Sequence, residues 1–180
     1  MIILSALPHG KLVLVGFMGT GKSSVSRLLA EKLAWDRTDS DEEVERAENR
    51  KIPDIFAQDG EQAFRDMETK ELRKLLESSQ SLVVATGGGA VLREENRSVM
   101  LEHGYVVALT AHPEQIIARV MQDEARPLLQ GDVRERVYGL LETRKGAYDF
   151  AHLSVDTTEL SVEEVVDLIV NAWKQHGASQ

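Results

Sequence analysis

Short strand-like segments alternate with amphipathic segments along most of the chain. Several of the strand-like segments are apolar runs of four or five residues, a pattern typical of buried parallel strands. Between them, apolar residues recur at helical spacing, as at Val25, Leu28 and Leu29. We therefore predict strands at Lys11–Val15, Trp35–Thr38, Ser81–Ala85, Tyr105–Leu109 and Leu153–Asp156.

Helices are predicted in the amphipathic segments that follow the strands. Some of these segments begin with clear start signals, such as Pro113 or the capping box of Ser161 and Glu164. The predicted helices are Ser24–Lys32, Glu42–Arg50, Pro53–Gln58, Glu61–Ser78, Arg93–Glu102, a helix from Pro113 onward, Val133–Tyr148 and Ser161–Lys174. This alternation predicts an α/β fold, a doubly wound three-layer α/β/α arrangement of about five parallel strands. In such a sheet the ligand binds beyond the carboxyl ends of the strands.

The composition is that of an ordinary globular protein with one hydrophobic core. The 180 residues are 42% hydrophobic and 28% charged, which suits a single domain over residues 1–180. Cysteine is absent, which excludes disulfides and cysteine-based zinc sites and fits a cytoplasmic location. We find no signal peptide and no apolar run near the about 20 residues that cross a bilayer. The net charge of −9 argues against nucleic-acid or membrane partners, so an anionic ligand needs a local cluster of cations.

The segment Gly16–Ser23 matches G-x-x-x-x-G-K-[ST] at every fixed position. It lies between a predicted strand and a predicted helix, the context in which this pattern binds phosphate. Glycines let the backbone approach an anion closely, and the N–H groups of the loop and the helix start point at it. Lys22 would reach the outer phosphates, and the Ser23 hydroxyl would bind Mg²⁺. A simple connecting turn is the alternative, which we disfavour because strand, loop and helix all agree.

Asp39 and Asp41 lie two residues apart, directly after a predicted strand. In extended chain their side chains would point the same way, into the cleft. One carboxylate would then hold Mg²⁺, directly or through water, and the other would accept a substrate hydroxyl or act as its base. The equally weighted alternative is a solvated helix start, with Ser40 or Asp41 as the cap residue.

Two further features predict substrate contacts. Arg65 follows Phe64 on a predicted helix, and its planar guanidinium suits a carboxylate ligand. The alternative for Arg65 is a pair with Glu68 or Glu61 on the same helix, and both readings can hold at once. The triplet Gly87–Gly89 ends a strand and forms either a tight loop or a ligand-contact surface. We favour the ligand, because one or two glycines suffice for a turn.

Three more arginines are candidates for anion binding. Residues 123–132 are polar and include a proline and a glycine, which predicts a mobile loop. Its Arg126 either swings onto a transferring phosphoryl group or remains a solvated surface residue. Arg119 lies seven residues earlier on a predicted helix, within reach of the same region. Arg144, four residues before Tyr148 on the next predicted helix, is a second candidate for a substrate carboxylate.

Together these motifs resemble the shikimate kinase family, in the nucleoside-monophosphate-kinase-like group of P-loop proteins. The resemblance runs from about Lys11 to Lys174. It is carried by Gly16–Ser23, Asp39-Ser40-Asp41, Ile55-Phe56, Gly60-Glu61, Phe64-Arg65, Thr86-Gly87-Gly88-Gly89, Arg126-Pro127-Leu128-Leu129 and Arg144 with Tyr148. Many kinases share the first motif, whereas the combination in this order is specific. One departure is the loop Asp156–Leu160, which lacks a proline that the family often has there.

The resemblance implies an enzyme that transfers phosphate from ATP to the 3-hydroxyl of shikimate, on the route to the aromatic amino acids. It implies a P-loop kinase fold with substrate-binding helices at about residues 40–78 and a lid at about 123–132. Mg²⁺ would be the cofactor, bound by Ser23 with Asp39 in its outer shell. The partners would be small molecules alone, ATP and shikimate, and we expect a monomer.

The resemblance also implies a role for each candidate residue. The implied nucleotide-binding residues are Gly19, Thr20, Gly21, Lys22, Ser23, Ser24, Arg119 and Arg126, with Arg119 stacking on adenine. The implied shikimate-binding residues are Asp41, Phe56, Phe64, Arg65, Gly87, Gly88, Gly89 and Arg144. Lys22, Asp41 and Arg126 would be the catalytic residues, with Arg126 on the lid.

Three other functions compete with this one. A kinase for another polyol acid, such as gluconate, shares the phosphate loop but need not pair two arginines with an aspartate and a glycine triplet. A GTPase switch should carry N-K-x-D and D-x-x-G, and neither pattern occurs. A regulatory relative would bind the ligand without turnover, against which the complete set of catalytic residue types argues.

Overall fold

The structure is a computed structural model that describes residues 10–122 and 132–179. Its strands are β1 (Lys11–Gly16), β2 (Asp36–Asp39), β3 (Leu82–Ala85), β4 (Tyr105–Thr110) and β5 (Leu153–Asp156). Its helices are α1 (Lys22–Leu33), α2 (Ser40–Glu48), α3 (Ile52–Asp59), α4 (Glu61–Glu77), α5 (Glu94–His103), α6 (Pro113–Met121), α7 (Val133–Thr143) and α8 (Val162–Ala178). A 3-10 helix spans Ala90–Leu92.

The strands form one parallel sheet in the order β2-β3-β1-β4-β5. β1 is central, and all six of its residues are buried. From β1 the chain passes outward to β2, returns to β3 beside β1, and then crosses to β4 on the other side. The connection after β1 runs toward the β2 edge of the sheet, whereas the connection after β3 runs toward the β5 edge. The loops after these two neighbouring strands therefore lie at the topological switch point. The predicted doubly wound α/β sheet is confirmed.

Both faces of the sheet are covered by apolar helix faces. Leu12 and Leu14 of β1 pack on one face with α1 and α8, and Val13 and Val15 pack on the other with α4 and α5. Side chains of a strand alternate between faces, so a strand buried on both needs a continuous apolar run. That requirement explains why the run before the phosphate loop was a reliable strand predictor.

Helices α2, α3 and α4 gather at the β2 edge of the sheet around a small core of Val44, Ile55 and Phe64. They span the segment in which substrate-binding helices were expected. None of the described helices is both long and apolar enough to cross a bilayer.

The start of α2 differs from the prediction. We expected the helix to begin at Glu42 with Ser40 or Asp41 as its cap, but it begins at Ser40 and its cap is Asp39. Asp39 has an extended backbone, and its Oδ1 accepts hydrogen bonds from the N–H groups of Asp41 (2.8 Å) and Glu42 (3.4 Å). The last strand residue thus caps the helix directly, so no extended Asp39–Asp41 segment exists.

Helix α7 is shorter than predicted. We expected it to continue to Tyr148, but it ends at Thr143 and the chain turns through the following residues. Gly146 has a φ of 78°, in the left-handed region that favours glycine and cannot continue an α-helix. Arg144 and Tyr148 therefore lie on a turn rather than one helical turn apart. From this turn both side chains reach Gly88, in the loop after β3.

The predicted capping box at the start of α8 is present, with Ser161 and Glu164 bonded to each other's backbone N–H. We expect Ser161→Ala to lower the free energy of unfolding by about 1 kcal/mol, because an N–H in the first turn loses its acceptor. Urea denaturation measures the change. Ser179→Ala, which removes a hydroxyl from the exposed end of the chain, is the matched control and should change stability by less than about 0.5 kcal/mol. Equal effects of the two substitutions would contradict the capping role.

Candidate active site

The loop between β1 and α1 is held by the side chain of its own lysine. Lys22 Nζ donates to the carbonyl oxygens of Gly16 (2.5 Å) and Phe17 (2.9 Å). Gly19 and Gly21 have φ values of 75° and 100°, which side chains disfavour. The ammonium group therefore lies across the loop, at the end of β1 and the start of α1.

The first turn of α1 offers further donors to an anion. Gly21 caps the helix without a side-chain hydrogen bond. The first turn of an α-helix presents N–H groups that have no acceptor earlier in the same helix, and in α1 this turn includes Ser23 and Ser24. These donors and the positive end of the helix dipole suit this loop to an anion.

Arg119 lies beside the phosphate loop. Its Nη1 donates to the carbonyl oxygen of Gly19 at 2.9 Å, and its guanidinium also donates to Thr157 in the loop after β5. This agrees with a location near the nucleotide, while stacking on adenine stays a prediction. Arg126 and the predicted lid fall in residues 123–131, outside the described residues, and Asp132 is the N-cap of α7.

Asp41 points toward the glycine triplet from the first turn of α2. A Cβ built on Gly87 would lie 2.6 Å from Asp41 Oδ1 and 2.9 Å from Oδ2. Ser40 is completely buried, and its Oγ accepts a hydrogen bond from the Gly87 N–H at 3.3 Å. This hydrogen bond links the start of α2 to the loop after β3. The Asp41 carboxylate lies close to the backbone of Gly87, where no side chain intervenes.

The other two glycines of the triplet each face an arginine. A Cβ on Gly88 would lie 3.0 Å from Arg144 Nη1, and a Cβ on Gly89 would lie 2.4 Å from Arg65 Nη2. Each of the three glycines thus accommodates one charged side chain. The triplet was interpreted as a surface close to a ligand, and its immediate neighbours are the side chains expected to bind that ligand.

The buried Glu68 interacts with both arginines. Its Oε1 accepts a hydrogen bond from Arg65 Nη1 at 2.8 Å, while Glu61 lies 3.8 Å from Arg65 Nη2. Both helix pairs that we considered for Arg65 are therefore present. Within the described part of the chain, Glu68 Oε2 and Arg144 Nη1 are buried and make no hydrogen bond. A buried polar atom without a partner is costly, so Arg144 Nη1 is a donor suited to an incoming acceptor.

Aromatic rings pack against the guanidinium groups of Arg65 and Arg144. Phe64 is buried and packs against Phe56 with ring centroids 4.9 Å apart. The Arg65 guanidinium lies 5.2 Å from the Phe64 ring centre, and that of Arg144 lies 5.5 Å from the ring of Phe17. Such contacts restrict the orientation of a guanidinium. Phe56 is partly exposed, as expected for a pocket wall.

Burial raises the pKa of Asp41 to about 7, with additional repulsion from Asp39 and Glu68. The positive charges of Lys22 and Arg65 act in the opposite direction, but they do not outweigh the loss of hydration. Asp41 therefore changes its charge near neutral pH. This is the range in which a carboxylate can both accept a proton and release it.

Asp39 has one carboxylate oxygen that takes no part in capping α2. Its Oδ1 is used in capping α2, and its Oδ2 lies 4.0 Å from Arg37 Nη2. Across residues 10–122 and 132–179, no group of three or more His, Asp or Glu side chains is placed to hold a metal ion. Mg²⁺ keeps several waters and needs few protein oxygens, so the hydroxyl of Ser23 and this carboxylate suit it.

Two contacts in the site were missed from the sequence. The Tyr148 hydroxyl donates to the carbonyl oxygen of Gly88 at 2.9 Å, and the Thr157 hydroxyl donates to that of Thr20 at 2.8 Å. The sequence indicates Tyr148 only as a neighbour of Arg144. Thr157 is a threonine after a short strand and belongs to no pattern that would have singled it out.

The fold and the site together define a P-loop kinase, with a phosphate loop at the switch point of a parallel sheet and a buried carboxylate between cations. Residues 18–174 match the family model described as shikimate kinase. The chain belongs to the shikimate kinase family, and its activity is the ATP-dependent phosphorylation of shikimate on the route to the aromatic amino acids.

Individual relatives match over nearly the whole chain. A shikimate kinase from Pelotomaculum thermopropionicum is 44% identical, with 92% of this chain and 96% of the relative covered. One from Desulforudis audaxviator is 46% identical, with 92% and 87% covered. The structure of shikimate kinase from Acinetobacter baumannii in complex with shikimate has a TM-score of 0.86 at 36% identity, with 93% and 94% covered. The predicted family and enzyme class are confirmed.

The contact between Gly89 and Arg65 predicts a selective defect. Gly89 has a φ of −94°, which alanine tolerates, but the added Cβ would displace the flexible end of Arg65. We expect Gly89→Ala to change the free energy of unfolding by less than about 1 kcal/mol. The KM for shikimate should rise about tenfold if, as we expect, the displaced Arg65 binds the substrate carboxylate through a charge-assisted hydrogen bond.

Steady-state kinetics and urea denaturation test this pair of effects. Gly139→Ala on α7 is the matched control, since its Cβ would meet nothing within 4 Å. This control should gain about 0.5–1 kcal/mol of stability and keep the KM. An unchanged KM in Gly89→Ala would show that Arg65 does not need this space.

The pKa of Asp41 predicts a change of stability with pH. Its pKa of about 7 in the folded protein exceeds the ordinary value of 3.8, so folding favours the protonated form. Stability linked to Asp41 is therefore full below the ordinary pKa and is lost as the pH rises toward 7. Each unit of pKa difference corresponds to about 1.4 kcal/mol.

We expect Asp41→Asn to be more stable than the wild type at pH 8 by about 2 kcal/mol or more. The difference should shrink as the pH falls to 5, because the wild-type carboxyl then takes up a proton. Urea denaturation at the two pH values measures it. Glu31→Gln, which neutralises an exposed carboxylate of α1, is the control. Equal stability of Asp41→Asn and wild type at pH 8 would show that burying the charged Asp41 carboxylate does not destabilise the fold.

Proposed function

We propose that the chain transfers the γ-phosphoryl group of ATP to the 3-hydroxyl of shikimate in the site between the phosphate loop and the glycine triplet. The observation that carries this proposal is the convergence of Asp41, Arg65 and Arg144 on Gly87–Gly89. Two cations next to one carboxylate suit an acceptor that has a carboxylate at one end and hydroxyls at the other.

The arginines would bind the substrate carboxylate. Arg65 is held by Glu68 and by the ring of Phe64, so little orientational freedom is lost when it binds. Arg144 Nη1 is buried without a hydrogen bond among the described residues, and a carboxylate oxygen would satisfy it. Gly88 and Gly89 would line the ring of the substrate, and Phe56 and Phe64 would wall the pocket.

Asp41 would hold the attacking hydroxyl. When ionised it accepts a hydrogen bond from the hydroxyl, and it can take the proton as the bond to phosphorus forms. Its pKa of about 7 matches this exchange near neutral pH. Phosphoryl transfer asks the protein mainly for alignment and charge stabilisation, so a well-placed acceptor is sufficient.

The phosphate loop would hold the transferring group. The N–H groups of Gly19, Thr20, Gly21 and the first turn of α1 would bind phosphate oxygens. Lys22 would exchange its bonds to Gly16 and Phe17 for the β- and γ-phosphates. Arg126 would add positive charge from the lid, and Arg119 would face the adenine.

Mg²⁺ would be held by Ser23, with Asp39 in its outer shell. The bound cation would neutralise part of the phosphate charge. Asp39 is suited to this role because one oxygen already caps α2 and fixes the carboxylate. We further propose a monomeric, single-domain, cytoplasmic enzyme that acts on small molecules without nucleic-acid or membrane partners.

A coupled assay of ADP release with Mg²⁺ and ATP tests the substrate. We expect release with shikimate and none with gluconate or nucleoside monophosphates, because the proposed site pairs two arginines with Asp41 beside the glycine triplet. Release with gluconate instead would keep the phosphate chemistry and overturn the proposed acceptor site. No release with any acceptor, from a folded protein that binds ATP, would favour a regulatory binder.

In the same assay Lys22→Ala should lower turnover about a hundredfold, because a cation at the transferring phosphate is lost. Its stability should change by less than about 1 kcal/mol. Lys174→Ala on the exposed side of α8 is the matched control and should keep full turnover. Near-normal turnover of folded Lys22→Ala would contradict the role of the loop lysine.

A further inference from the structure

Thr157, the first residue after β5, is buried directly behind the phosphate loop, with 4% of its surface exposed. Its hydroxyl donates to the carbonyl oxygen of Thr20 at 2.8 Å, with the Thr110 carbonyl oxygen at 3.1 Å as a second acceptor. Its own N–H donates to that same Thr110 oxygen at 2.8 Å. The residue is thus fixed to the end of β4 and bonded to the back of the loop.

Arg119 completes this arrangement. Its Nη1 donates to the carbonyl oxygen of Gly19 at 2.9 Å and to Thr157 Oγ1 at 3.2 Å, and its Nη2 donates to the Thr157 carbonyl oxygen at 3.2 Å. The Thr157 hydroxyl therefore accepts from Arg119 while donating to Thr20. One hydroxyl can do both, because it has one proton and two lone pairs.

These bonds determine which way two peptide groups of the loop face. In a planar trans peptide, the carbonyl of one residue and the N–H of the next point in opposite directions. The Gly19 oxygen points toward Arg119, so the Thr20 N–H of the same peptide group points away from Arg119. The Thr20 oxygen points toward Thr157, so the Gly21 N–H points away from Thr157.

We propose that Thr157 is a positioning residue for nucleotide binding, which together with Arg119 orients the Gly19–Thr20 and Thr20–Gly21 peptide groups toward the phosphates. Glycine-rich backbone such as this has little preference of its own and would otherwise adopt other orientations. Donors that are oriented before binding lose less entropy when the anion arrives. The inference rests on the proposed phosphate site, but not on the identity of the acceptor.

Inorganic tripolyphosphate is the discriminating probe, because it carries the phosphates without the base. Its affinity and that of ADP are measured by calorimetry with the full-length protein. We expect Thr157→Val to weaken both by about fivefold or more, since one orienting hydrogen bond is lost. Thr157→Ser, which keeps the hydroxyl, should restore both affinities to within about twofold of the wild type.

Thr158→Val is the matched control in the same loop. Its hydroxyl donates to Asp156 Oδ1 at 2.5 Å and accepts from the N–H of His112, away from the phosphate loop. Its affinity for tripolyphosphate should equal that of the wild type. If Thr157→Val fails to fold, Arg119→Lys carries the same test, because lysine keeps the charge but cannot bridge Gly19 and Thr157 at once.

Three results would overturn the proposal. If Thr157→Val weakened ADP but not tripolyphosphate, Thr157 would act on the base alone. If neither affinity changed, the hydrogen bonds would be merely structural. Failure of the wild type to bind tripolyphosphate at all would instead reject the phosphate site itself, and the inference with it. Shikimate turnover does not enter this test, so an error in the acceptor would be recognised separately.

Discussion

The close approach of three charged side chains to side-chain-free backbone is the constraint on which the site depends. Asp41, Arg144 and Arg65 come from three different segments, and each lies so close to one glycine of Gly87–Gly89 that an added Cβ would displace or crowd it. The triplet follows β3, so the sheet fixes its position beside the phosphate loop at the end of β1. Three other features help to hold these charges against the triplet: the cap at Asp39, the buried Glu68 and the turn at Gly146.

Burying these charged groups close together costs free energy, because they lose hydration and some hydrogen bonds. Burial raises the pKa values of Asp41 and Glu68, and Arg144 Nη1 lacks a hydrogen bond among the described residues. A bound carboxylate and hydroxyl would relieve much of this cost, because they supply the missing partners. The chain has a net charge of −9 but keeps a local cluster of cations in this site. Binding of a substrate carboxylate and hydroxyl would lower the free-energy cost of burying these charged groups. Functional sites commonly show this pattern of shifted pKa values.

Much of this architecture could be predicted from the sequence, because strong local patterns carried it. Apolar runs identified the strands, and the phosphate loop, the glycine triplet and Arg65 were recognisable from residue type and spacing. The predicted cap of α2, Ser40 or Asp41, and the predicted end of α7 at Tyr148 were wrong, because both depend on single backbone conformations that neighbouring residues could also have adopted. Thr157 could not be found, since its role comes from contacts with segments 38 and 137 residues away in sequence. Arg126 lies outside the described residues and stays a prediction.

The most direct test of the central claim compares shikimate with its methyl ester, which lacks the carboxylate charge. Calorimetry would measure the affinity of both ligands for the wild type and for Arg65→Ala, after circular dichroism has shown that the variant is folded. The account predicts that the wild type prefers shikimate by about tenfold or more, and that Arg65→Ala loses most of this preference. An equal preference in both proteins would contradict the claim, because the carboxylate would then be recognised somewhere other than at Gly89 and Arg65.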